Sequence, residues 1–116
     1  MNAMLIILFI VVFLLFFPIT YVRGASMYPA IQHGDILFSA RVFNYEKHKC
    51  KPGRIYVYRS PDERKRVISR LIGIAEGEYF FEGDNKDDSY DSRHYGLVDP
   101  KSVIAEVVGI LYRKKS

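Results

Sequence analysis

The chain has 116 residues, of which 49% are hydrophobic, and a formal net charge of +4. This length leaves room for one modest hydrophobic core and excludes two domains of ordinary size. The single cysteine, Cys50, excludes both an intrachain disulfide and a cysteine-ligated metal site.

Residues 3–22 form an apolar run without a charged side chain. Twenty helical residues span about 30 Å, which matches the hydrocarbon core of a bilayer. A cleaved signal peptide is the main alternative, but no Lys or Arg precedes the run, which is also longer than a usual h-region. A buried core helix is a weaker alternative, because the run offers no polar face. We predict a single-pass transmembrane anchor over residues 1–22, followed by one domain over residues 23–116.

Charged side chains begin at Arg23, and basic residues are frequent in 41–54, 59–70 and 113–115. Nucleic acid could bind such clusters, but a membrane-attached chain has anionic lipid headgroups close by. We therefore expect membrane lipid as a partner and no nucleic acid.

The domain after Arg23 consists of short apolar runs separated by Gly, Pro, Asn and Asp. Runs rich in β-branched and aromatic residues predict strands at 36–40, 55–58, 67–74, 79–82 and 103–112. No segment after the anchor has a helical period. The predicted fold is therefore mainly β, a small twisted sheet or a partly open barrel, with an N-terminal transmembrane helix.

A candidate nucleophile, Ser26, lies in the segment GASMYP at 24–29. A serine hydroxyl attacks a carbonyl only when a base removes its proton and N–H groups stabilise the oxyanion. Gly24 allows close backbone approach, and Pro29 stiffens the chain after the serine. A glycine-containing turn with a serine is usually only a turn. Here it follows the apolar run by four residues, which indicates a position at the bilayer surface.

A second candidate segment is the acidic loop GDNKDDSYDSR at 83–93. Such a loop could bind calcium, but it lacks the alternating ligand order and the closing glutamate of an EF-hand. Taken alone, it is best interpreted as a solvated turn. We expect neither a metal nor a cofactor.

Taken together, these segments resemble the type I signal peptidases. The resemblance rests on GASMYP, on Gly34-Asp35, and above all on GDNKDDSYDSRHYG at 83–96. Pro52-Gly53 before a predicted strand and EGEYFFEGDN leading into the loop also match. The resemblance extends from the apolar run to about Gly109, whereas a β region that the family usually inserts before the GDN loop is essentially absent.

The resemblance implies a Ser/Lys hydrolase that removes signal peptides from exported precursor proteins, with Ser26 as the nucleophile. It implies that Ser89 orients the general base and that Asp91 and Arg93 support the site as an ion pair. It also implies small substrate residues at −1 and −3. The family's topology implies a catalytic domain on the non-cytoplasmic side of the membrane.

The general base is the point at which this sequence departs from the family. Family members carry a Lys-Arg pair followed by two aliphatic residues and a glycine. Lys65 begins a segment that has the lysine but lacks the glycine, whereas Ser69 begins one that has the glycine but lacks the lysine. Lys65 is the candidate base on chemical grounds, because serine cannot deprotonate another serine near neutral pH. Histidines, which serve as the base in endoplasmic reticulum relatives, fall outside the matching position: His33, His48 and His94.

Two functions remain open at this point. The first is an active membrane-bound serine endopeptidase with Ser26 and Lys65 as its dyad. The second is a non-catalytic relative, an assembly or substrate-binding factor that has lost its base. The related self-cleaving repressor peptidases share a Ser/Lys dyad but lack the GDN loop, so they are a remote alternative.

The sequence also suggests which side chains meet the membrane and the substrate. We expect part of an aromatic set to rest among lipid headgroups beside the basic 41–54 loop: Phe38, Tyr56, Tyr58, Phe80 and Phe81. We expect the shallow pockets for small substrate residues to be lined by Met27, Ile31 and Leu37.

Overall fold

The computed structural model describes residues 2–114. Its two α-helices are α1 (Ala3–Phe16) and α2 (Ser92–Tyr95), and two 3₁₀ turns cover Lys86–Asp88 and Pro100–Ser102. Its strands are β1 (Ile19–Tyr21), β2 (Ile36–Arg41), β3 (Ile55–Arg59), β4 (Arg66–Ala75), β5 (Glu78–Glu82) and β6 (Val103–Tyr112). All five predicted strands are present, with bounds that differ by no more than one residue.

The six strands form one antiparallel sheet in the order β1-β2-β6-β3-β4-β5. Because β1 and β5 pair with one neighbour each, the sheet is open and is not closed into a barrel. The mainly β prediction is confirmed, and of its two forms the open sheet is the correct one. The last strand, β6, lies between β2 and β3 and joins the segment that contains Ser26 to the β3–β5 half of the sheet.

The apolar run was predicted to form one helix, but it contains a shorter helix followed by a strand. Helix α1 ends at Phe16, two residues before Pro18, because proline lacks an N–H and restricts the residue before it. The carbonyl of Pro18 accepts a hydrogen bond from Ser39 N–H, and the chain then enters the sheet as β1. The predicted helix over residues 3–22 was therefore too long. Among the described residues, no helix has both the length and the apolar character needed to cross a bilayer.

Helix α1 exposes its apolar side chains on every face and has no buried residue. Contact with the sheet is confined to its C-terminal end, where Phe17 stacks on Phe38 with ring centroids 5.4 Å apart. The Leu15 carbonyl there accepts a hydrogen bond from Arg41, so a cation lies at the negative end of the helix dipole.

The strands place alternate residues on opposite sides of the sheet, and each side carries its own core. One cluster contains Cys50, Tyr56, Tyr58, Leu71, Tyr79, Phe81, Val98 and Val103. The other contains Val22, Met27, Ile31 and Leu37, against which Ile55, Ile68 and Val107 pack. The second cluster includes the residue next to Ser26, so apolar burial fixes the chain at that point.

Of the aromatic set from which a part was expected at the membrane, three residues are buried, which leaves Phe38 and Phe80 as candidates. Tyr56, Tyr58 and Phe81 have no solvent exposure and form the centre of the first core cluster. Tyr58 and Phe81 stack with centroids 4.1 Å apart. These three rings fill the core together with Tyr79, so they are not available to lipid.

Candidate functional site

Ser26 lies in the turn that connects β1 to β2. Gly24 has a φ of +89°, a left-handed conformation that favours glycine and turns the chain towards the serine. Met27, which follows Ser26, is 2% exposed and belongs to the second core cluster. Ser26 itself is half-buried. The turn is thus anchored on its apolar side while the serine stays accessible.

The loop after β5 holds the Ser26 turn from the other side. Asn85 N–H donates to the Ser26 carbonyl at 2.8 Å, and the Asn85 side-chain amide donates to the Ala25 carbonyl at 3.0 Å. Asp84 N–H contacts the Met27 sulfur at 3.4 Å. The GDN segment singled out in the sequence therefore binds the backbone on both sides of the candidate nucleophile.

Gly83 leaves no room for a side chain at this junction. A Cβ placed there would lie 2.1 Å from Ser89 Oγ and 2.6 Å from the Ser26 carbonyl oxygen. Both distances are below any real contact, so only glycine permits the two segments to meet. Ser89 and Ser26, 63 positions apart in the sequence, thus both lie next to the Gly83 backbone.

Asp91 organises this loop. Its buried carboxylate accepts hydrogen bonds from Gly83 N–H at 2.8 Å and Ser89 Oγ–H at 2.7 Å. Arg93 adds its backbone N–H, Nε and Nη2, at 3.1, 2.9 and 3.0 Å. Burial alone disfavours a charged carboxylate, but the hydrogen bonds that Asp91 accepts outweigh it and lower the pKa of Asp91 below its ordinary value.

The structure thus brings Ser89, Asp91 and Arg93 together beside Ser26. An ion pair between Asp91 and Arg93 is present, at 2.9 Å. The Ser89 hydroxyl donates to Asp91 and not to a base. The catalytic contributions of these residues stay predictions, whereas their contacts hold the loop.

A cavity of about 530 Å³ opens beside Ser26. Its lining comes from three parts of the fold: residues 19–23, residues 26 and 27, and the facing strands at 57 and 66–68. Most of these side chains are apolar, and no acidic residue is among them. Of the three residues expected to line a substrate pocket, Met27 does so, whereas Ile31 and Leu37 are buried in the core.

Lys65 does not contribute to this cavity. Its side chain is 74% exposed, and its ammonium pairs with the Glu63 carboxylate at 3.0 Å. It lies just before β4, where no apolar side chains among the described residues enclose it. The burial that a lysine base needs is therefore not present in this arrangement.

Ser69, the alternative register, is 1% exposed on β4. The Tyr58 hydroxyl donates to Ser69 Oγ at 3.3 Å and also shares a hydrogen bond with the Tyr95 hydroxyl. Burial raises the pKa of Tyr58, so its phenol stays protonated near neutral pH. The polar groups at this position are therefore hydroxyls, which cannot replace an amine as a base.

Two features of the site were missed in the sequence. Arg70 donates from Nε and Nη2 to the two Asp84 carboxylate oxygens at 2.8 and 2.7 Å, which joins β4 to the GDN loop. Arg23 and Arg66 line the cavity. The sequence carried a signal for the Arg70 contact: when Ser69 is aligned with the family's lysine, Arg70 aligns with the arginine of the family's Lys-Arg pair. Among residues 2–114, no group of three or more His, Cys, Asp and Glu side chains could hold a metal ion.

Comparison with known proteins agrees with the motifs. Residues 1–75 and 74–112 match the model of the family described as signal peptidase, peptidase S26. Mitochondrial inner membrane protease subunit 1 of Mus musculus is 31% identical over 98 residues, covering 65% of this chain and 57% of that protein. Mitochondrial ATP-independent inner membrane protease subunit 1a of Arabidopsis thaliana is 28% identical over 109 residues, 73% of this chain and 64% of that protein.

A bacterial relative matches over a shorter stretch. Signal peptidase I of Buchnera aphidicola subsp. Acyrthosiphon pisum (strain APS) is 43% identical over 37 residues, which are 32% of this chain and 12% of that protein. The chain spans less than two thirds of the length of each of these relatives.

The Asp91 network makes a prediction about acid stability. Because the pKa of Asp91 is lower in the folded chain than the value of about 3.9 in an unfolded one, its stabilisation is present above pH 4 and is lost as the pH falls. Asp91→Asn should lower the free energy of unfolding by about 3 kcal/mol at pH 7, and this difference from wild type should shrink below pH 4. Urea unfolding of the full chain in detergent, followed by tyrosine fluorescence at several pH values, measures it.

Asp87→Asn is the matched control, because Asp87 is exposed and lies in the same loop. It should change the unfolding free energy little at any pH. A constant difference between wild type and Asp91→Asn from pH 7 to pH 3 would contradict the role given to this carboxylate.

Proposed function

Because the chain belongs to the signal peptidase family, peptidase S26, we propose that it is a membrane-bound serine endopeptidase that cleaves signal-peptide-bearing precursors of exported proteins. The observation that carries the proposal is the position of Ser26. It lies on the wall of a mostly apolar cavity, and the loop at 83–91 holds the backbone on both sides of it. A nucleophile needs this combination of fixed position and open access.

The proposed reaction is acyl transfer through Ser26. Ser26 Oγ attacks the carbonyl carbon of the scissile peptide bond while a base takes the hydroxyl proton. The C–N bond then breaks, the proton passes to the leaving amine, and water hydrolyses the acyl-serine ester. Backbone N–H groups must stabilise the oxyanion, because Gly24 has no hydroxyl to contribute. Within residues 2–114, the N–H of Ser26 has no hydrogen-bond acceptor, so it can supply one such donor.

Lys65 is the base in this proposal. It directly precedes Arg66, which lines the cavity. To act on Ser26, Lys65 must leave Glu63, turn inward and lose its proton, for which desolvation on substrate binding is the available driving force. The supporting residues Ser89, Asp91 and Arg93 would keep the Ser26 turn in position during this step.

A second function, substrate binding without cleavage, is favoured by position 69. Ser69 is buried in the register that the family fills with lysine, and its partner is the Tyr58 hydroxyl. With no amine there and Lys65 exposed, the same cavity would hold a precursor without hydrolysing it. The chain would then be a substrate-binding or assembly subunit. The mitochondrial relatives are named as protease subunits, a name that fits a cleaving or a binding subunit.

Membrane attachment is assigned to α1 in this proposal. A 14-residue helix that is apolar on every face is unfavourable in water and favourable in lipid. It is about 21 Å long. Relatives that are named as inner membrane proteases support attachment to a membrane. The sheet would then lie at the lipid surface on the non-cytoplasmic side, where precursors emerge.

Four variants separate cleavage from binding. We expect the full chain in detergent to cleave a precursor with small residues at −1 and −3, and Ser26→Ala to abolish cleavage. If Lys65 is the base, Lys65→Ala should lower the rate by about 10²-fold or more, and Ser69→Ala should have little effect. Lys47→Ala is the control, since Lys47 is an exposed lysine in another loop. Product formation by mass spectrometry is the measurement.

The opposite pattern identifies the binding function. Wild type and Ser26→Ala would then bind the precursor equally and cleave nothing, whereas Ser69→Lys would create cleavage. Circular dichroism of Ser69→Lys must match that of wild type for this comparison. Absence of both binding and cleavage would reject the two functions together.

Membrane attachment has its own test. The full chain expressed in cells should sediment with membranes and resist carbonate extraction. Replacement of Leu8, Val11 and Leu15 by Asp should release it, because each charge opposes burial of the helix in lipid. The same three replacements by Ala are the control. Recovery of the wild-type chain in the soluble fraction would contradict the assignment.

A further inference from the structure

The arginines of the chain differ in whether their charge is used within the fold. All nine arginines lie among residues 2–114, and seven of them donate a side-chain hydrogen bond to a protein oxygen. Within that range, Arg23 and Arg66 donate none and have no carboxylate partner. These two arginines both line the cavity beside Ser26. Among the described residues, the arginines that make no side-chain hydrogen bond within the protein thus both lie at the candidate active site.

The pairing of the strands makes this arrangement unfavourable in the empty chain. Arg66 on β4 lies directly opposite Arg59 on β3. Like charges directly opposite in an antiparallel pair repel each other and destabilise the sheet. Arg59 is partly compensated, since it donates to the Arg64 carbonyl at 3.0 Å, whereas Arg66 has no such partner. An anion that entered the cavity would relieve this repulsion.

The rest of the cavity lining is mostly apolar and contains no acidic residue. A ligand that fills it therefore meets apolar walls with two guanidinium groups, and arginine binds carboxylates through paired hydrogen bonds. We propose that the peptide bound here carries an acidic side chain within about two residues of the bond presented to Ser26, held by Arg66 and Arg23. This inference rests on the proposed function, in its cleaving or its binding form.

An anionic lipid headgroup has related chemistry, but the cavity favours a peptide. Ser26 is part of the same lining, so a precursor presented to Ser26 occupies this space. Its volume of about 530 Å³ lies within the range of ordinary ligand pockets and accommodates a few side chains. The acidic group that neutralises Arg66 is therefore expected on the peptide.

The test measures binding of matched peptides to the full-length Ser26→Ala chain in detergent, so that bound peptide is not cleaved. Labelled peptides with small residues at −1 and −3 carry either Asp or Asn at −2 or at +1. At low salt, we expect at least one Asp peptide to bind about fivefold more tightly than its Asn partner. Fluorescence anisotropy gives the Kd values.

The preference should depend on the two cavity arginines. Arg66→Gln should abolish it, Arg23→Gln should reduce it, and 0.5 M salt should weaken it by screening. Arg64→Gln is the control, because Arg64 is exposed in the turn before β4 but bonds to Ser102 away from this cavity. Its preference should equal that of the parent chain.

Other outcomes overturn the inference in distinguishable ways. Equal binding of Asp and Asn peptides at both positions would overturn it and leave the proposed function standing. Failure of all peptides to bind would reject the proposed function and the inference together. Loss of binding to phosphatidylglycerol vesicles in Arg23→Gln and Arg66→Gln, with no Asp preference among the peptides, would assign the charge to lipid.

Discussion

A buried carboxylate, that of Asp91, receives five hydrogen bonds from three residues of its own loop, and the geometry around Ser26 depends on this contact. A buried charge is tolerated only when its lone pairs are filled, so the loop has few other conformations. Since Gly83 N–H is one donor, the carboxylate fixes the point where β5 ends. Two residues later, Asn85 reaches the Ser26 carbonyl. The serine is thus positioned by a network whose centre lies 65 residues further along the chain.

Position 69 affects the proposed catalysis without determining the fold. The turn, the GDN loop and the Arg70–Asp84 pair form around β4 although position 69 carries no amine. Buried hydroxyls complete the packing there, with Ser69 bonded to Tyr58. Nothing in the stability of the sheet therefore requires a base. Cleavage and binding are two outcomes of the same architecture, and they differ by the group that takes one proton.

Much of the fold could be predicted because β-branched and aromatic runs bounded by Gly and Pro mark strands locally. Strand β1 was missed because its residues continue the apolar run of helix α1. Only their pairing with β2 shows that they form a strand and not a further part of the helix. Tyr56 and Phe81 were among the candidates for membrane contact, because their burial depends on which strands become neighbours and cannot be read from the local sequence. The loop at 83–93 was found through its motif, whereas the cavity arginines carry no motif. Lys65 was chosen because it carries an amine, whereas its exposure in the connection between β3 and β4 is seen only in the folded chain.

The most direct measurement is hydrogen exchange at the Asn85 amide, because its N–H bonds to the Ser26 carbonyl at 2.8 Å. In the full chain in detergent, NMR should find this amide protected. Asp91→Asn should speed its exchange by about tenfold or more, since the loop then opens locally, and Asp87→Asn should leave it unchanged. Equal protection of Asn85 in wild type and in Asp91→Asn would contradict the account, because the serine would then be positioned without the carboxylate.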